Sequence, residues 1–200
     1  MRPMRVFLDL DGVVVDFVRG AMAYHGLDQP DFYSHPDLWI GEMGEYDLPR
    51  AFHMDEKALW KPLLSHQFYA GLKITPDAMA LMQVLEGRFH PGQIRLLSSP
   101  RLEPLCWSGR LCWVRQWMPK YLPRVLLGHD KAAVAHYGAL LIDDCDEVVD
   151  RWRQSGGWAI LYPRPWNSRH EEADRALEVF KADLVKLDIA LGYGGYRHAG

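Results

Sequence analysis

Short apolar runs along the chain predict five buried strands. Each run spans four or five residues, which is the length of a strand rather than of a helix. The predicted strands are Arg5–Leu8 and residues 94–97, 124–127, 139–142 and 158–162.

The segments between these runs predict six helices, and glycine or proline marks several of their ends. The predicted helices span residues 14–25, 77–85, 105–118, 131–136, 147–154 and 168–183. Gly26 and Pro119 each follow one helix, whereas Pro76 precedes another at a position that suits its first turn. Strands that alternate with helices indicate an α/β protein, with a parallel sheet that helices cover on both faces.

Residues 27–72 depart from this alternation. They contain four prolines, several acidic residues and histidines, and aromatic residues without the period-two pattern of a strand. We interpret this stretch as a small helical insertion into the α/β unit.

Composition and charge narrow the class of protein. The 200 residues give one domain with room for a small second module, because a domain averages roughly 150 residues. Hydrophobic residues make up 48% of the chain and the net charge is −3, so a mainly disordered chain is excluded and a duplex-coating protein is disfavoured. No apolar run approaches the ~20 residues that a membrane span needs.

The first residues and the cysteines indicate a cytoplasmic protein. Asp9 and Asp11 interrupt an apolar stretch that is too short for a signal peptide. Three cysteines without a CxxC pair favour reduced thiols over a disulfide framework or a zinc site.

Polar residues follow four of the predicted strands, where ligands bind in parallel sheets. They are Asp9, Asp11, Ser98, Ser99, Lys131, Asp143 and Asp144. Carboxylates gathered at one edge repel one another and resist ionisation unless a cation lies among them. Oxygen ligands of this kind suit Mg²⁺, and Lys131 adds a second positive centre for a phosphate.

These residues resemble the four signature motifs of the haloacid dehalogenase-like phosphohydrolases, in order and each on the expected strand end. The motifs are residues 9–12 (DLDG), Ser98, Lys131 and residues 143–144 (DD). Residues 9–17 (DLDGVVVDF), 98–100 (SSP), 130–131 (DK) and 141–144 (LIDD) further resemble the 5'(3')-deoxyribonucleotidase family. Residues 162–167 (YPRPWN) are similar to a segment of related bacterial and phage nucleotidase-like proteins.

The resemblance implies a fold and a set of roles. The fold would be a three-layer Rossmann-like core with a small helical cap inserted after the first strand. Asp9 would be the nucleophile that forms an aspartyl-phosphate, and Asp11 the general acid and base. Asp9, Asp143 and the backbone carbonyl of Asp11 would hold Mg²⁺, with Asp144 supporting the metal shell, while Ser98 and Lys131 would bind the phosphoryl oxygens.

The resemblance also implies a domain division and a substrate site. Residues 1–17 and 73–190 would form the core, 18–72 the cap, and 191–200 a C-terminal tail. Phe17 would stack on a nucleobase, Trp39 would be a second cap aromatic, and Ser99 and His129 would lie at the substrate. Ser98 stands where the nearest relatives carry Thr, and His129 where they carry Arg.

The expected function is Mg²⁺-dependent hydrolysis of a nucleoside 5'-monophosphate, a deoxyribonucleotide in particular. A sugar phosphate or a polynucleotide 3'-phosphate is the alternative substrate within the same superfamily. A nucleotide-binding module without turnover is the alternative from another class, although it would be expected to lack Asp9 or Asp11. The expected partner is a small phosphate monoester, with no membrane and no stable nucleic-acid partner, and a homodimer is compatible with the sequence.

Overall fold

Five parallel strands form one sheet in the computed structural model of the chain, which describes residues 4–192. The strands are β1 (Arg5–Leu8), β2 (Ile94–Ser98), β3 (Val125–Leu127), β4 (Ala139–Asp143) and β5 (Trp158–Leu161). Their order is β3-β2-β1-β4-β5. The parallel sheet predicted from the apolar runs is therefore confirmed, whereas the predicted tail lies almost entirely outside the described residues.

The central strand β1 is buried on both faces, which is typical of a parallel sheet between two helical layers. Leu8 pairs in register with Leu96 of β2 and with Ile142 of β4. Val6 and Leu8 belong to the larger of two apolar clusters. Phe7 points into the other, where its ring lies 5.2 Å from that of Trp152. Successive side chains of one strand thus supply opposite faces of the sheet.

Eight α-helices lie along the described residues. They are α1 (Phe17–Tyr24), α2 (Leu48–Ala51), α3 (Glu56–Leu63), α4 (His66–Gly71), α5 (Ala78–Arg88), α6 (Pro104–Trp117), α7 (Asp146–Gln154) and α8 (Ala176–Ala190). Short 3₁₀ turns occur at Pro36–Leu38, Pro91–Gln93, Pro119–Arg124, Lys131–Val134 and His170–Arg175. No helix within residues 4–192 combines the length and apolar character that crossing a membrane requires.

The helix predicted over residues 131–136 is only a 3₁₀ turn, Lys131–Val134, and two other helices begin three or more residues later than the sequence pattern predicts. The helix predicted over residues 14–25 begins at Phe17, because the Asp16 side chain caps it by accepting the Arg19 N–H. The helix predicted over residues 168–183 begins as a 3₁₀ turn and becomes α-helical only at Ala176. Apolar periodicity locates a helix, but local side-chain hydrogen bonds decide where it begins.

The stretch predicted as a helical insertion contains α2, α3 and α4. Each of the three begins at a side-chain cap: Asp47, Asp55 and Ser65 accept backbone N–H groups of the first turn. Helix α4 lies directly against α6, since a Cβ added at Gly109 would lie 2.5 Å from the His66 carbonyl oxygen. The division into a core and a cap of residues 18–72 stays a prediction.

Candidate active site

Three buried carboxylates meet where the strand order of the sheet reverses. β2 and β3 lie on one side of β1, and β4 and β5 lie on the other. Asp9 directly follows β1, Asp143 ends β4, and Asp144 comes next in the chain. Oxygen atoms of the three side chains lie within 4.8 Å of one another. Such a reversal point is the general ligand site of open α/β sheets.

Lys131 supplies the positive charge that directly contacts this cluster. Its Nζ donates to Asp9 Oδ1 at 2.6 Å and to Asp143 Oδ2 at 2.7 Å. Burial of the ammonium acts to lower the pKa of Lys131, but the two carboxylates outweigh burial and raise it. Lys131 therefore stays charged across the neutral range.

The negative charge of the cluster exceeds what one ammonium neutralises. Burial raises the pKa of Asp9 well above its usual range, and the neighbouring Asp143 and Asp144 carboxylates add to that rise although Lys131 opposes it. Burial and the Asp143 carboxylate raise the pKa of Asp144 to about 7. A divalent cation would favour the ionised carboxylates, and an all-oxygen donor set fits a hard cation such as Mg²⁺.

Gly12 allows the two acidic turns to approach each other. These are the turn after β1, with Asp9 and Asp11, and the turn after β4, with Asp143 and Asp144. Its φ is +78°, a left-handed conformation that glycine adopts without steric cost. A Cβ at this position would overlap Asp144 Oδ2. The turn after β1 can thus approach the turn after β4 only because residue 12 has no side chain.

Asp11 pairs with an arginine that sequence reasoning missed. Arg110 of α6 is fully buried and forms an ion pair with Asp11 Oδ1. Its Nε and Nη1 atoms are buried without a hydrogen-bond partner among residues 4–192. One signal in the sequence could have indicated it. Arg110 lies four residues after Cys106 and four before Val114, which places a charged residue on the apolar face of the predicted helix.

Ser99 and His129, both predicted to lie at the substrate, connect the loops that follow β2 and β3 to each other. The Ser99 Oγ donates to the Gly128 carbonyl oxygen at 2.8 Å, and His129 Nε2 lies 2.8 Å from the carbonyl oxygen of Pro100. Ser98 differs, because its buried Oγ has no hydrogen-bond partner within the described part of the chain. A buried hydroxyl without a partner is costly unless a ligand satisfies it.

A cleft of about 520 Å³ opens onto the carboxylates. Phe17 lines it but is only 5% exposed, and its ring packs edge-on against Phe68 at 5.4 Å. Trp39 is not among the lining residues; its ring packs 5.3 Å from that of Trp166. Phe17 and Trp39, the two aromatic residues predicted to contact the substrate, therefore both pack against other rings of the protein.

A larger cavity, of about 620 Å³, lies beside α1. Arg19, Tyr24 and Lys73 are among its lining residues, and none of the clustered carboxylates is. The chemistry therefore points to the smaller cleft as the site.

The segment at residues 162–167 contacts both acidic turns. The buried Arg164 donates from Nε to the Gly12 carbonyl oxygen at 2.6 Å and from Nη2 to that of Val13 at 3.0 Å. Trp166 Nε1 donates to Asp144 Oδ2 at 2.7 Å. The sequence pattern assigned these residues no role, since nothing local indicates contacts across 22 to 152 positions.

Known nucleotidases resemble this chain in sequence. A family model described as "5' nucleotidase, deoxy (Pyrimidine), cytosolic type C protein" matches residues 2–187. The human mitochondrial 5'(3')-deoxyribonucleotidase is 27% identical over 156 residues, which cover 74% of this chain but only 65% of that protein. The mouse mitochondrial protein of the same name is 26% identical over 156 residues, covering 74% of this chain and 67% of its own length.

A solved structure supports the fold. A haloacid dehalogenase-like family hydrolase from Streptococcus pneumoniae superposes with a TM-score of 0.50 over 90% of this chain and 98% of its own. The two sequences are 12% identical, so the likeness concerns the α/β core architecture alone.

Proposed function

The chain belongs to the 5' nucleotidase, deoxy (pyrimidine), cytosolic type C family, and we propose that it hydrolyses a nucleoside 5'-monophosphate, a deoxyribonucleotide in particular. The observation that carries the proposal is the arrangement around Asp9. Its carboxylate lies at the strand-order reversal, 2.6 Å from the Lys131 ammonium and beside Asp143 and Asp144. A nucleophile, a cation for the phosphoryl oxygens and a set of metal ligands thus lie together.

In the first step Asp9 attacks phosphorus. A bond forms between its carboxylate oxygen and phosphorus while the bond from phosphorus to the nucleoside oxygen breaks. Asp11 gives its proton to the departing oxygen, so a nucleoside and an aspartyl-phosphate result. Because Asp11 is paired with Arg110, it must exchange the guanidinium for the substrate before this transfer.

In the second step water hydrolyses the aspartyl-phosphate. Asp11 takes a proton from the attacking water, the acyl-phosphate is cleaved, and inorganic phosphate leaves with the Asp9 carboxylate restored. Positioning and charge neutralisation are most of what phosphoryl transfer requires of a protein. Lys131 and the unpartnered Ser98 hydroxyl are the side chains suited to bind the phosphoryl oxygens.

Asp9, Asp143 and Asp144 would hold Mg²⁺, together with the Asp11 backbone carbonyl. The ion would neutralise charge on the transferring phosphoryl group. The three buried carboxylates supply oxygen ligands. Among the described residues, Cys145 is the one thiol that lines the cleft, and it does not belong to the group of clustered ligands. The cleft of about 520 Å³ is within the usual range for a small-molecule site.

A substrate panel tests the proposal. Phosphate release is measured for deoxyribo- and ribonucleoside 5'-monophosphates, a nucleoside 3'-monophosphate, a sugar phosphate and a 3'-phosphorylated oligonucleotide, each with Mg²⁺ and with excess chelator. We expect the highest kcat/KM for a deoxyribonucleoside 5'-monophosphate and no turnover in chelator. A sugar phosphate or the oligonucleotide as the best substrate, or full activity in chelator, would contradict it.

A further inference from the structure

We infer that the segment after β5, residues 162–167, is a positioning brace that orients Asp144 for a cation and holds the turn after β1 against it. The inference rests on the proposed function, because it concerns the same carboxylate cluster. Trp166, Asn167 and Arg164 are the residues that carry it.

Trp166 fixes the orientation of the Asp144 carboxylate. The indole is 2% exposed, and its N–H donates to Asp144 Oδ2 at 2.7 Å. Within residues 4–192 no donor contacts the other oxygen, Oδ1. The indole therefore occupies one lone-pair direction and leaves the second oxygen for a ligand, as outer hydrogen bonds commonly do for metal-binding carboxylates.

Asn167 holds the backbone of the same residue. Its Nδ2 donates to the Asp144 carbonyl oxygen at 2.9 Å and to the Tyr162 carbonyl oxygen at 2.8 Å. The Asn167 Oδ1 accepts the Arg164 N–H at 3.3 Å, which closes the segment on itself. Side chain and main chain of Asp144 are thus fixed by two adjacent residues.

Arg164 connects the brace to the other acidic turn. Its guanidinium donates to the carbonyl oxygens of Gly12 and Val13, which directly follow Asp11. Burying a guanidinium, an amide and an indole N–H costs free energy unless each has a hydrogen-bond partner. Apolar side chains could fill the same volume without that cost. Here all three groups have partners. The Arg164 guanidinium donates to the turn after β1, and the Trp166 indole donates to Asp144. The Asn167 amide donates to the carbonyl oxygens of Asp144 and Tyr162.

The indole ring has a separate packing role, which allows the N–H to be tested alone. Its centroid lies 5.3 to 6.3 Å from those of four rings, which belong to Phe32, Tyr33, Trp39 and Tyr46. Trp166→Phe keeps an aromatic ring in this cluster and removes the donor to Asp144 together with part of the ring volume, a loss that an indole-to-phenyl control at another buried tryptophan can match.

Mn²⁺ binding without substrate is the test, measured by electron paramagnetic resonance on the full chain, because Mn²⁺ also prefers oxygen ligands. We expect Trp166→Phe to bind Mn²⁺ about tenfold more weakly than the wild type, the scale of a lost outer-shell contact. Trp152→Phe is the matched control, since its buried Nε1 has no hydrogen-bond partner among residues 4–192. It should bind Mn²⁺ as the wild type does.

Two further variants keep the test decisive. Asn167→Ala removes the donor to the Asp144 backbone without changing the indole and should also weaken Mn²⁺ binding, even if Trp166→Phe does not fold. In an Asp144→Ala background, Trp166→Phe should cause no further loss, because the indole acts through Asp144.

Folded Trp166→Phe and Asn167→Ala proteins with wild-type Mn²⁺ affinity would overturn the brace. An equal loss in Trp152→Phe would also overturn it, since the effect would then be general to aromatic substitution. A wild type that binds Mn²⁺ but hydrolyses no nucleotide would overturn the proposed function and leave the brace standing.

Discussion

At the scale of single residues, the proposed chemistry depends on one carboxylate. We expect Asp9→Asn to lower phosphate release by about 10⁴-fold or more, because an amide is a far poorer nucleophile and removal of a nucleophile has effects on this scale. The fold should survive, since Asn has the same shape and Asp9 is buried with a raised pKa. Phosphate release and thermal melting are measured together.

Asp146→Asn is the matched control for that variant. Asp146 also lines the cleft, but it accepts hydrogen bonds from Ser168 and lies outside the carboxylate cluster. It should retain most of the activity. Substantial turnover by a folded Asp9→Asn protein would contradict the covalent mechanism.

The contact between the two acidic turns depends on Gly12. Gly12→Ala meets two obstacles: a φ of +78°, and a Cβ that would overlap Asp144 Oδ2. Gly156→Ala meets only the first, because its φ is +86° and no atom lies within 4 Å of the added Cβ. We expect Gly156→Ala to cost about 1–2 kcal/mol and to keep its activity.

Gly12→Ala should lose both stability and activity, since Asp144 or the turn after β1 must move. Urea denaturation and kcat measured for both variants check this. Equal losses of stability and of kcat in the two alanine variants would show that the close approach of Asp144 to residue 12 is not needed for activity.

At the scale of secondary-structure elements, an ion pair connects the start of α5 to the segment after β5. Arg164 donates to both carboxylate oxygens of Asp77, at 2.9 and 3.0 Å, and the Tyr162 hydroxyl donates at 2.7 Å. Burial acts to raise the pKa of Asp77, but Arg164 and these hydrogen bonds outweigh it and lower the pKa below its usual value of about 4.

This depressed pKa makes a pH-dependent contribution to stability. The contribution is complete above the unfolded-state pKa and is lost as the pH falls through the lower folded-state pKa. We expect Asp77→Asn to cost about 2–3 kcal/mol at pH 7, since Asp77 is partly exposed and Arg164 would lose its charge partner. The difference between wild type and variant should shrink as the pH falls below about 4.

Urea denaturation between pH 2 and pH 7 measures this difference, within roughly the range where carboxylates titrate. Asp150→Asn is the control, because Asp150 forms an exposed pair with Arg153 at 3.3 Å and should change stability little at any pH. A cost for Asp77→Asn that stayed constant across the range would contradict the role of its ionisation.

Phe17 connects α1 to the helices of the insertion. Its ring lies 5.4 Å from that of Phe68 and 6.2 Å from that of Trp60. We expect Phe17→Ala to lower the free energy of unfolding by about 3 kcal/mol, the usual cost of removing a buried phenyl ring.

If Phe17 also stacks on the nucleobase, a second effect follows. The ratio of kcat/KM for a nucleoside monophosphate to that for p-nitrophenyl phosphate should fall about tenfold, within the scale of one base–aromatic stack. An unchanged ratio would limit Phe17 to packing and withdraw the stacking prediction.

At the scale of the whole molecule, three buried carboxylates at the sheet edge should couple cation binding to folding. A ligand that binds only the native state stabilises it by about 2.7 kcal/mol at one hundred times its Kd. For a chain of this size that is a rise in Tm of about 5–10 °C. We expect Mg²⁺ to raise the Tm of the wild type by this amount.

Asp143→Ala should abolish that rise, because it removes one of the three clustered carboxylates. Calorimetry with a Mg²⁺ titration, starting from chelator-treated protein, measures the shift. An equal rise in Asp143→Ala would show that Mg²⁺ stabilises the protein elsewhere.

The sequence by itself determined the elements of the core and the residues that end its strands. Each of the five strands lies within one residue of its predicted bounds at either end, because an apolar run bounded by polar residues is a local signal. The order of Asp9, Ser98, Lys131 and Asp143 along the chain resembles the motif order of the haloacid dehalogenase-like phosphohydrolases. Their places at strand ends predicted that they meet, since parallel strands bring their carboxyl ends to one edge.

Only the tertiary structure decided the partners of these residues. The pairing of Asp11 with Arg110 spans 99 positions, and the contact of Arg164 with Gly12 spans 152. No local pattern encodes such contacts, because they follow from the strand order and from how closely the turns approach. The packing of Phe17 against Phe68 and of Trp39 against Trp166 likewise appears only in the tertiary structure, since an aromatic side chain suits a ligand site and a core equally.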